Sequence, residues 1–266
     1  MENKVEKDNI LNNEKRILGV IPSRYASQRL PNKPLEKICG KEMVIWVLEG
    51  ATKSGLFNKV VLATDHKDIY NCAIENGYYA LMTSLNCKNG TQRVEEAIRI
   101  LENNGEKYDI VVNIQGDEPL IDRDILEKVI LPFKDEDVEI CSLRKKIEEV
   151  EQVNNPNVVK VVCNRKGYAI YFSRSPLPYY RDKTLEEAIS EGIYYKHIGL
   201  YAYKREVLKQ IVSLPISYLE NIEALEQLRW IENNYKIMMS ITEKETIGVD
   251  TYEDLQRVND FIMKHF

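Results

Sequence analysis

Long apolar runs, paired cysteines and an excess of positive charge are all missing from this chain. No apolar run approaches the roughly 20 residues that a helix needs to cross a bilayer, so no membrane partner is expected. The five cysteines, at 39, 72, 87, 141 and 163, are odd in number and form no C-x-x-C pair. That spacing argues against a disulfide framework and against a cysteine zinc site, and it points to a reducing compartment. Basic residues number 37 against 42 acidic ones, a net charge of −5. This balance exerts no long-range pull on a nucleic-acid backbone or an anionic membrane, so no nucleic acid is expected as a partner. Histidine is scarce too. Of three, His265 stands in the terminal turn, which leaves little material for a hydrolase built on a histidine base. Residues 1–16 are polar, mixed in charge and without an apolar signal region. They read as a flexible tail, and the expected location is cytoplasmic.

What is present describes an ordinary globular chain. With 266 residues, 44% of them hydrophobic and 30% charged, it has the length for one large domain or two small ones. Apolar runs at 17–21 (ILGVI), 60–63 (VVLA), 78–82 and 110–114 (IVVNI) predict strands. Helical spacing covers 43–51, 65–76 and 91–102, the last with Thr91 as its expected N-cap. Continuous apolar runs separated by helices predict an α/β fold, a mainly parallel sheet with helices on both faces. The second half is richer in strands, at 158–163, 168–173, 196–203 and 236–241, with helices over 219–233 and 251–265. There is no tandem repeat and no low-complexity linker. A single domain over 17–266 is expected, carrying a smaller strand-rich insertion at about 154–203.

In parallel α/β sheets ligands bind beyond the carboxyl ends of the strands, and three motifs stand there. The first, Pro22-Ser23-Arg24-Tyr25-Ala26-Ser27-Gln28-Arg29-Leu30-Pro31-Asn32-Lys33-Pro34-Leu35, sets Arg24, Arg29 and Lys33 among turn-forming residues. Fixed cations and closely approaching backbone N–H groups suit a polyphosphate; a solvated basic loop is the plainer alternative. No Walker A pattern is present. The second, Gln115-Gly116-Asp117-Glu118-Pro119, offers Asp117 either as a ligand for a divalent ion or as a cap for the next helix. In the third, Gly248-Val249-Asp250-Thr251, Asp250 is either a second carboxylate for that ion or, with Thr251, the N-cap of the last helix.

Nine strings occur in register: IPSRYASQRLPNKPL at 21–35, ATDH at 63–66, NGTQR at 89–93, NIQGDEP at 113–119, NPNVVKVV at 155–162, YFSRSPLP at 171–178, KHIGLYAY at 196–203, LEQLRW at 225–230 and GVDTYEDL at 248–255. Together they closely resemble the 3-deoxy-manno-octulosonate cytidylyltransferase (CMP-Kdo synthetase) family, from about residue 16 to the C-terminus. The resemblance implies a fold of the nucleotide-diphospho-sugar transferase type and a homodimer, with the insertion serving sugar binding and dimerisation. It also implies a reaction in which the anomeric hydroxyl of Kdo attacks the α-phosphate of CTP with Mg²⁺, giving CMP-Kdo and pyrophosphate for lipopolysaccharide or capsule synthesis. Carried over by position, Arg24 and Lys33 would bind the CTP phosphates and Gly90, Thr91 and Arg93 would line the nucleotide pocket. Asp117 and Asp250 would be the metal carboxylates, with Asp117 also at the nucleotide; Arg24, Lys33, Asp117 and Asp250 would carry catalysis. Gln115, Arg174, Arg181, His197, Tyr201, Glu223, Glu226 and Gln227 would face the sugar acid.

The residues themselves leave alternatives beside these roles. His197 also reads as a half-buried strand histidine, Arg174 and Arg181 as surface ion-pair residues, and Glu223, Glu226 and Gln227 as one solvated helix face. His66 either caps a helix or touches the nucleotide. The chain also departs from the family pattern. Where the family reads roughly H-x-S-G-T-[DE]-R, this chain has Cys87, Asn89 and Gln92 in place of the His, Ser and acidic residue. Where Trp-[DE]-Arg is common after YFSRSPLP, it has Tyr179-Tyr180-Arg181. These changes raise the same chemistry on a variant acid, such as 8-amino Kdo, as an alternative. A catalytically silent nucleotide-binding paralogue is the other, against which the retention of Arg24, Lys33, Asp117 and Asp250 argues.

Overall fold

The apolar runs of the N-terminal half form parallel strands because each is flanked by helices that cover both faces. In a computed structural model of the chain, residues 15–26, 29–244 and 247–265 are described, so most of the expected tail lies outside them. The first elements are β1 (Ile17–Ser23), β2 (Lys37–Ile38), β3 (Lys41–Glu42), α1 (Met43–Lys53), β4 (Lys59–Thr64), α2 (Lys67–Glu75), β5 (Tyr79–Met82), α3 (Gly90–Asn103), β6 (Ile110–Asn113) and α4 (Arg123–Ile130). Then come β7 (Ile140–Lys146), α5 (Val150–Asn154), β8 (Lys160–Cys163), β9 (Ala169–Ser173), α6 (Leu185–Ser190), β10 (Tyr195–Lys204), α7 (Arg205–Ile211), α8 (Tyr218–Glu223), α9 (Glu226–Glu232), β11 (Ile237–Ile241) and α10 (Tyr252–His265).

The described residues form two compact units, one up to Glu127 together with those from 247 on, the other from Lys128 to 244. In the first, β1 lies between β6 and β4, and β5 follows β4, all parallel. All four residues of β6 are buried, as a strand covered on both faces requires. The register pairs Ser23 with Thr64 and Val20 with Asn113, so the loops after β1, β4 and β6 leave the same edge. The C-terminal segment returns to that edge. Val249, Leu255, Val258 and Ile262 pack with Leu30, Ile38 and Met43, and the Val249 amide donates to the Asp117 carbonyl at 2.9 Å.

In the second unit β10 pairs antiparallel with β7 and β8, β11 runs parallel to β7, and β9 pairs with β8. The strand-rich stretch expected at 154–203 falls inside this unit. The unit is wider because β7 and β11, on either side of that stretch, pair with each other, and β7 also pairs with β10. The expectation from sequence is one α/β body, and the described residues cluster into two compact units. Two local corrections follow. Asn89, not Thr91, caps α3, its side chain accepting from the Gln92 amide. The helix expected over 219–233 is broken into α8 and α9 at Ala224, which takes a left-handed conformation with φ 51° and ψ 48°.

Gly50 in α1 is held close to the chain ahead of α4: a Cβ there would lie 2.4 Å from the Ile121 carbonyl oxygen. Gly50→Ala is expected to lower the melting temperature. Overpacking costs about 1–3 kcal/mol, against up to about 1 kcal/mol of gained helix propensity. A melt at or above wild type would contradict this packing.

Candidate active site

The loops at the carboxyl edge of β1, β5 and β6 enclose a cavity of about 810 Å³. It is lined by Pro22, Ser23, Arg24, Ala26, Arg29, Lys33 and Pro34 from the first motif, and by Cys87, Lys88, Asn89, Gly90 and Arg93 around the start of α3. Gln115, Gly116 and Asp117 after β6, and Asp250 before α10, complete it. Gly116 is needed there. A Cβ on it would stand 3.0 Å from the Pro22 carbonyl oxygen, so the two loops touch through backbone.

Lys33 opens a short 3₁₀ turn, Lys33–Leu35, preceded by Asn32 in the left-handed region at φ 52°. Its Nζ lies 2.6 Å from Asp117 Oδ2 and 2.8 Å from Asp250 Oδ1. Arg29 reaches the other oxygen of Asp250 at 2.9 Å. Burial works against the Lys33 charge, but the two carboxylates outweigh it and hold the ammonium above its ordinary value. Burial likewise opposes ionisation of Asp250, and Lys33 and Arg29 outweigh it, holding the carboxyl below its usual range. Neither aspartate serves as a helix cap. Asp122 accepts from the Ile125 amide at the start of α4. At α10, Thr251 Oγ1 accepts from the Asp254 amide while Asp254 Oδ2 accepts from the Thr251 amide. Both carboxylates are therefore free of backbone duty.

Arg93 is fixed by groups that sequence reading passed over. Its guanidinium, nearly buried, donates to Asp65 Oδ2 at 2.7 Å and to Thr83 Oγ1 at 2.6 Å. The other Asp65 oxygen accepts from the Tyr25 amide at 3.1 Å, so one carboxylate ties α3 to the first motif. The ATDH string at the end of β4 was the available signal. Its neighbour His66 caps α2, accepting from the Asp68 amide, and stacks on Tyr25 at 3.7 Å between ring centroids. Gly90 and Thr91 form the first turn of α3, whose N-terminus lines the cavity; Thr91 is buried. Gln92 Oε1 accepts from the Lys88 amide at 2.9 Å, and the Cys87 thiol donates to Glu96 Oε2 at 3.0 Å. Burial and Glu96 push that thiol up to about 11, so it stays protonated.

The remaining candidates belong to the second unit. Arg174 donates to three backbone carbonyls, of Glu223 (2.7 Å), Pro156 (3.0 Å) and Ala224 (3.3 Å). Glu223 accepts from Ser173 Oγ and from the Arg174 amide. These bonds hold the Ala224 turn, and they explain why Glu223 stands on α8 while Glu226 and Gln227 stand on α9, not on one helix face. Lys160, missed in the sequence although it sits in NPNVVKVV, is wholly buried and donates to the carbonyls of Asn155, Val158 and Arg174 at 2.6–2.9 Å. Gln227 is buried, and Glu226 lies 3.4 Å from Arg229. Arg181 is exposed beside Asp182. His197 lies between the rings of Phe172 and Tyr201, its Nε2 3.0 Å from Ser142 Oγ. Desolvation pushes its imidazole down to about 3, so it is neutral at physiological pH. Tyr201 is buried and stacks on Tyr203.

Asp117 and Asp250 converge on one point, and the Lys33 ammonium is a stand-in cation at it. Two carboxylates fit Mg²⁺, which takes one or two protein carboxylates and leaves its other positions to phosphate and water. Among the described residues no group of three or more His, Cys, Asp or Glu side chains is placed to hold a metal. No helix among them is long and apolar enough to cross a membrane.

Residues 18–241 match the family model described as cytidylyltransferase. The chain is 43% identical over 251 residues to a 3-deoxy-manno-octulosonate cytidylyltransferase of Fusobacterium nucleatum, covering 94% of this chain and 98% of the relative. It is 45% identical over 253 residues to that of Phocaeicola vulgatus, covering 93% and 97%. A solved structure of CMP:2-keto-3-deoxy-manno-octonic acid synthetase complexed with CTP superposes with a TM-score of 0.86 at 35% identity, over 94% of this chain and all of that one.

Two outcomes follow from the geometry. Asp65→Asn leaves the buried Arg93 without its counter-charge and is expected to destabilise the fold by about 3 kcal/mol, read by denaturant unfolding; a loss under about 0.5 kcal/mol, the surface level, would contradict the brace. Between pH 6.5 and about 3 the unfolded chain takes up a proton that the folded His197 refuses. This contribution to stability is therefore flat above that window and falls as pH drops through it. His197→Gln should flatten the acid limb of a melting-temperature profile. An unchanged limb would contradict the desolvated site.

Proposed function

The chain belongs to the 3-deoxy-manno-octulosonate cytidylyltransferase family, and from that premise we propose that it transfers the cytidylyl group of CTP to Kdo, with Asp117 and Asp250 holding Mg²⁺. The observation that carries the reading is the convergence of those two carboxylates on one point in a cavity that also holds Arg24, Arg29 and Lys33. Bond making joins the anomeric hydroxyl oxygen of Kdo to the α-phosphorus. The bond from that phosphorus to the bridging oxygen breaks, pyrophosphate leaves with the electron pair, and the hydroxyl proton passes to water. Such a transfer needs positioning and charge neutralisation more than covalent catalysis.

The residues provide those two things. Arg24, Arg29 and Lys33 stand where a triphosphate would need cations, and the N-terminus of α3 offers backbone N–H groups along the same wall. Gly116 lets the loop after β6 approach closely. A bound divalent ion supplies charge neutralisation and makes the attacking hydroxyl easier to deprotonate. Among the described residues the cavity lining has no histidine, and its thiol at Cys87 stays protonated, so no imidazole or thiolate stands ready there as a base. In the second unit, Arg174, Glu223 and Lys160 form a braced turn, and His197, Tyr201, Glu226 and Gln227 remain the candidates for the acceptor.

The same reading extends to a homodimer, a cytoplasmic location and supply of the activated sugar for lipopolysaccharide or capsule synthesis; the family resemblance supports these. Kdo is preferred over a variant acid because Gln92 spends its carbonyl oxygen on the Lys88 amide, a bond that a carboxylate would accept equally.

Pyrophosphate release should occur with CTP, Mg²⁺ and Kdo, and not with 8-amino Kdo, sialic acid or another nucleoside triphosphate. Turnover with CTP and a different acid would move the acceptor and keep the chemistry. Asp117→Ala and Asp250→Ala, if folded, should each lose at least about 10²-fold in rate. Unchanged turnover in either would remove that residue from the site.

A further inference from the structure

The proposed reading gives Asp117 and Asp250 to a divalent ion and Lys33 to the triphosphate. In the structure Lys33 itself occupies the carboxylates, 2.6 Å from Asp117 Oδ2 and 2.8 Å from Asp250 Oδ1. A magnesium-sized ion takes its oxygen ligands at about 2.0–2.1 Å, so it and the ammonium cannot share those two oxygens without setting like charges in contact. The local charge count agrees. Two carboxylates face two cations, Lys33 and Arg29 on the outer oxygen of Asp250, and the cluster is already neutral. A divalent ion entering alone would raise it to a charge of about +2, in a site where the Lys33 side chain is only 15% exposed. An incoming triphosphate reverses that balance. It brings a large negative charge to the same cavity, and a lysine on its four-carbon stem can exchange partners as a point charge.

We propose that Lys33 is a built-in counter-cation: it closes the Asp117–Asp250 site to free divalent ions in the nucleotide-free protein and yields the site when the triphosphate draws its ammonium away. Divalent ion and nucleotide then bind with positive coupling, each raising the affinity of the other by the same factor. The Lys33 ammonium gives both carboxylates a counter-charge. It rests on the reading of Asp117 and Asp250 as the ion's ligands, and it adds that the site opens only on nucleotide arrival.

The test is a titration of the full-length protein with Mn²⁺ alone, without nucleotide, read by the electron paramagnetic resonance of the free ion. Lys33→Met is expected to bind Mn²⁺ at least about tenfold more tightly than wild type, because the competing charge is gone. Lys33→Arg, which keeps the charge, should stay as weak as wild type. Adding Asp250→Asn to Lys33→Met should abolish the gain, which places the ion at this site. Lys33→Gln repeats the measurement if the methionine variant does not fold. Equal or weaker Mn²⁺ binding in a folded, neutral Lys33 variant overturns the proposal, as does a gain that survives Asp250→Asn. Pyrophosphate release by the same wild-type preparation separates the failures. If it persists, only the exchange falls; if it is absent, the functional reading falls too.

Discussion

The ammonium of Lys33 draws together carboxylates that lie 84 and 217 residues away in the chain. That contact depends on nearly everything in the first unit. Asp117 is delivered by β6, which is adjacent to β1 in the sheet. Lys33 is delivered by the long loop that follows β1, which is pinned at Tyr25 by Asp65 and at Leu30 by the packing of α10. Asp250 reaches the site only because the C-terminal segment returns, with the Val249 amide bonded to the Asp117 carbonyl. The apolar contacts of Val249, Leu255, Val258 and Ile262 are thus what convert a distant aspartate into half of a carboxylate pair.

The parallel half was legible because buried parallel strands are short continuous apolar runs, and 17–21, 60–63 and 110–114 are such runs. The second half was less so. α5, α6 and α7 have five to seven residues, too few to show a helical period. β7 is buried for four residues, the polar Ser142 among them, and then charged. The spacing over 219–233 is helical throughout, and only tertiary contacts reveal the break: Arg174 bonds the Glu223 and Ala224 carbonyls. At α3 the sequence offers Asn89 and Thr91, both good caps, and local chemistry does not choose between them.

In the candidate site, the motif residues were readable and their supports were not. Asp65 and Arg93 are 28 residues apart, and their ion pair exists only once β4 and α3 are side by side. That Asp117 and Asp250 are not the helix caps was decided by neighbours, Asp122 and Thr251, that take the capping bonds. The departures from the family pattern also acquire a physical sense. Asn89 caps α3, Gln92 accepts from the Lys88 amide and Cys87 donates to Glu96, so the substituted side chains bond within the loop and the helix it opens. Tyr180 bonds Glu191 at 2.8 Å, and Tyr179 is exposed.

The central claim is that Asp117 and Asp250 form the divalent-ion seat of a nucleotide cavity. The most direct measurement is an anomalous difference map from crystals grown with Mn²⁺ and CTP. The account predicts a peak in ligand distance of both carboxylates and of phosphate oxygens, with Lys33 Nζ moved from the aspartates to the triphosphate. A peak elsewhere, with Lys33 still bridging Asp117 and Asp250 beneath a bound nucleotide, would contradict it.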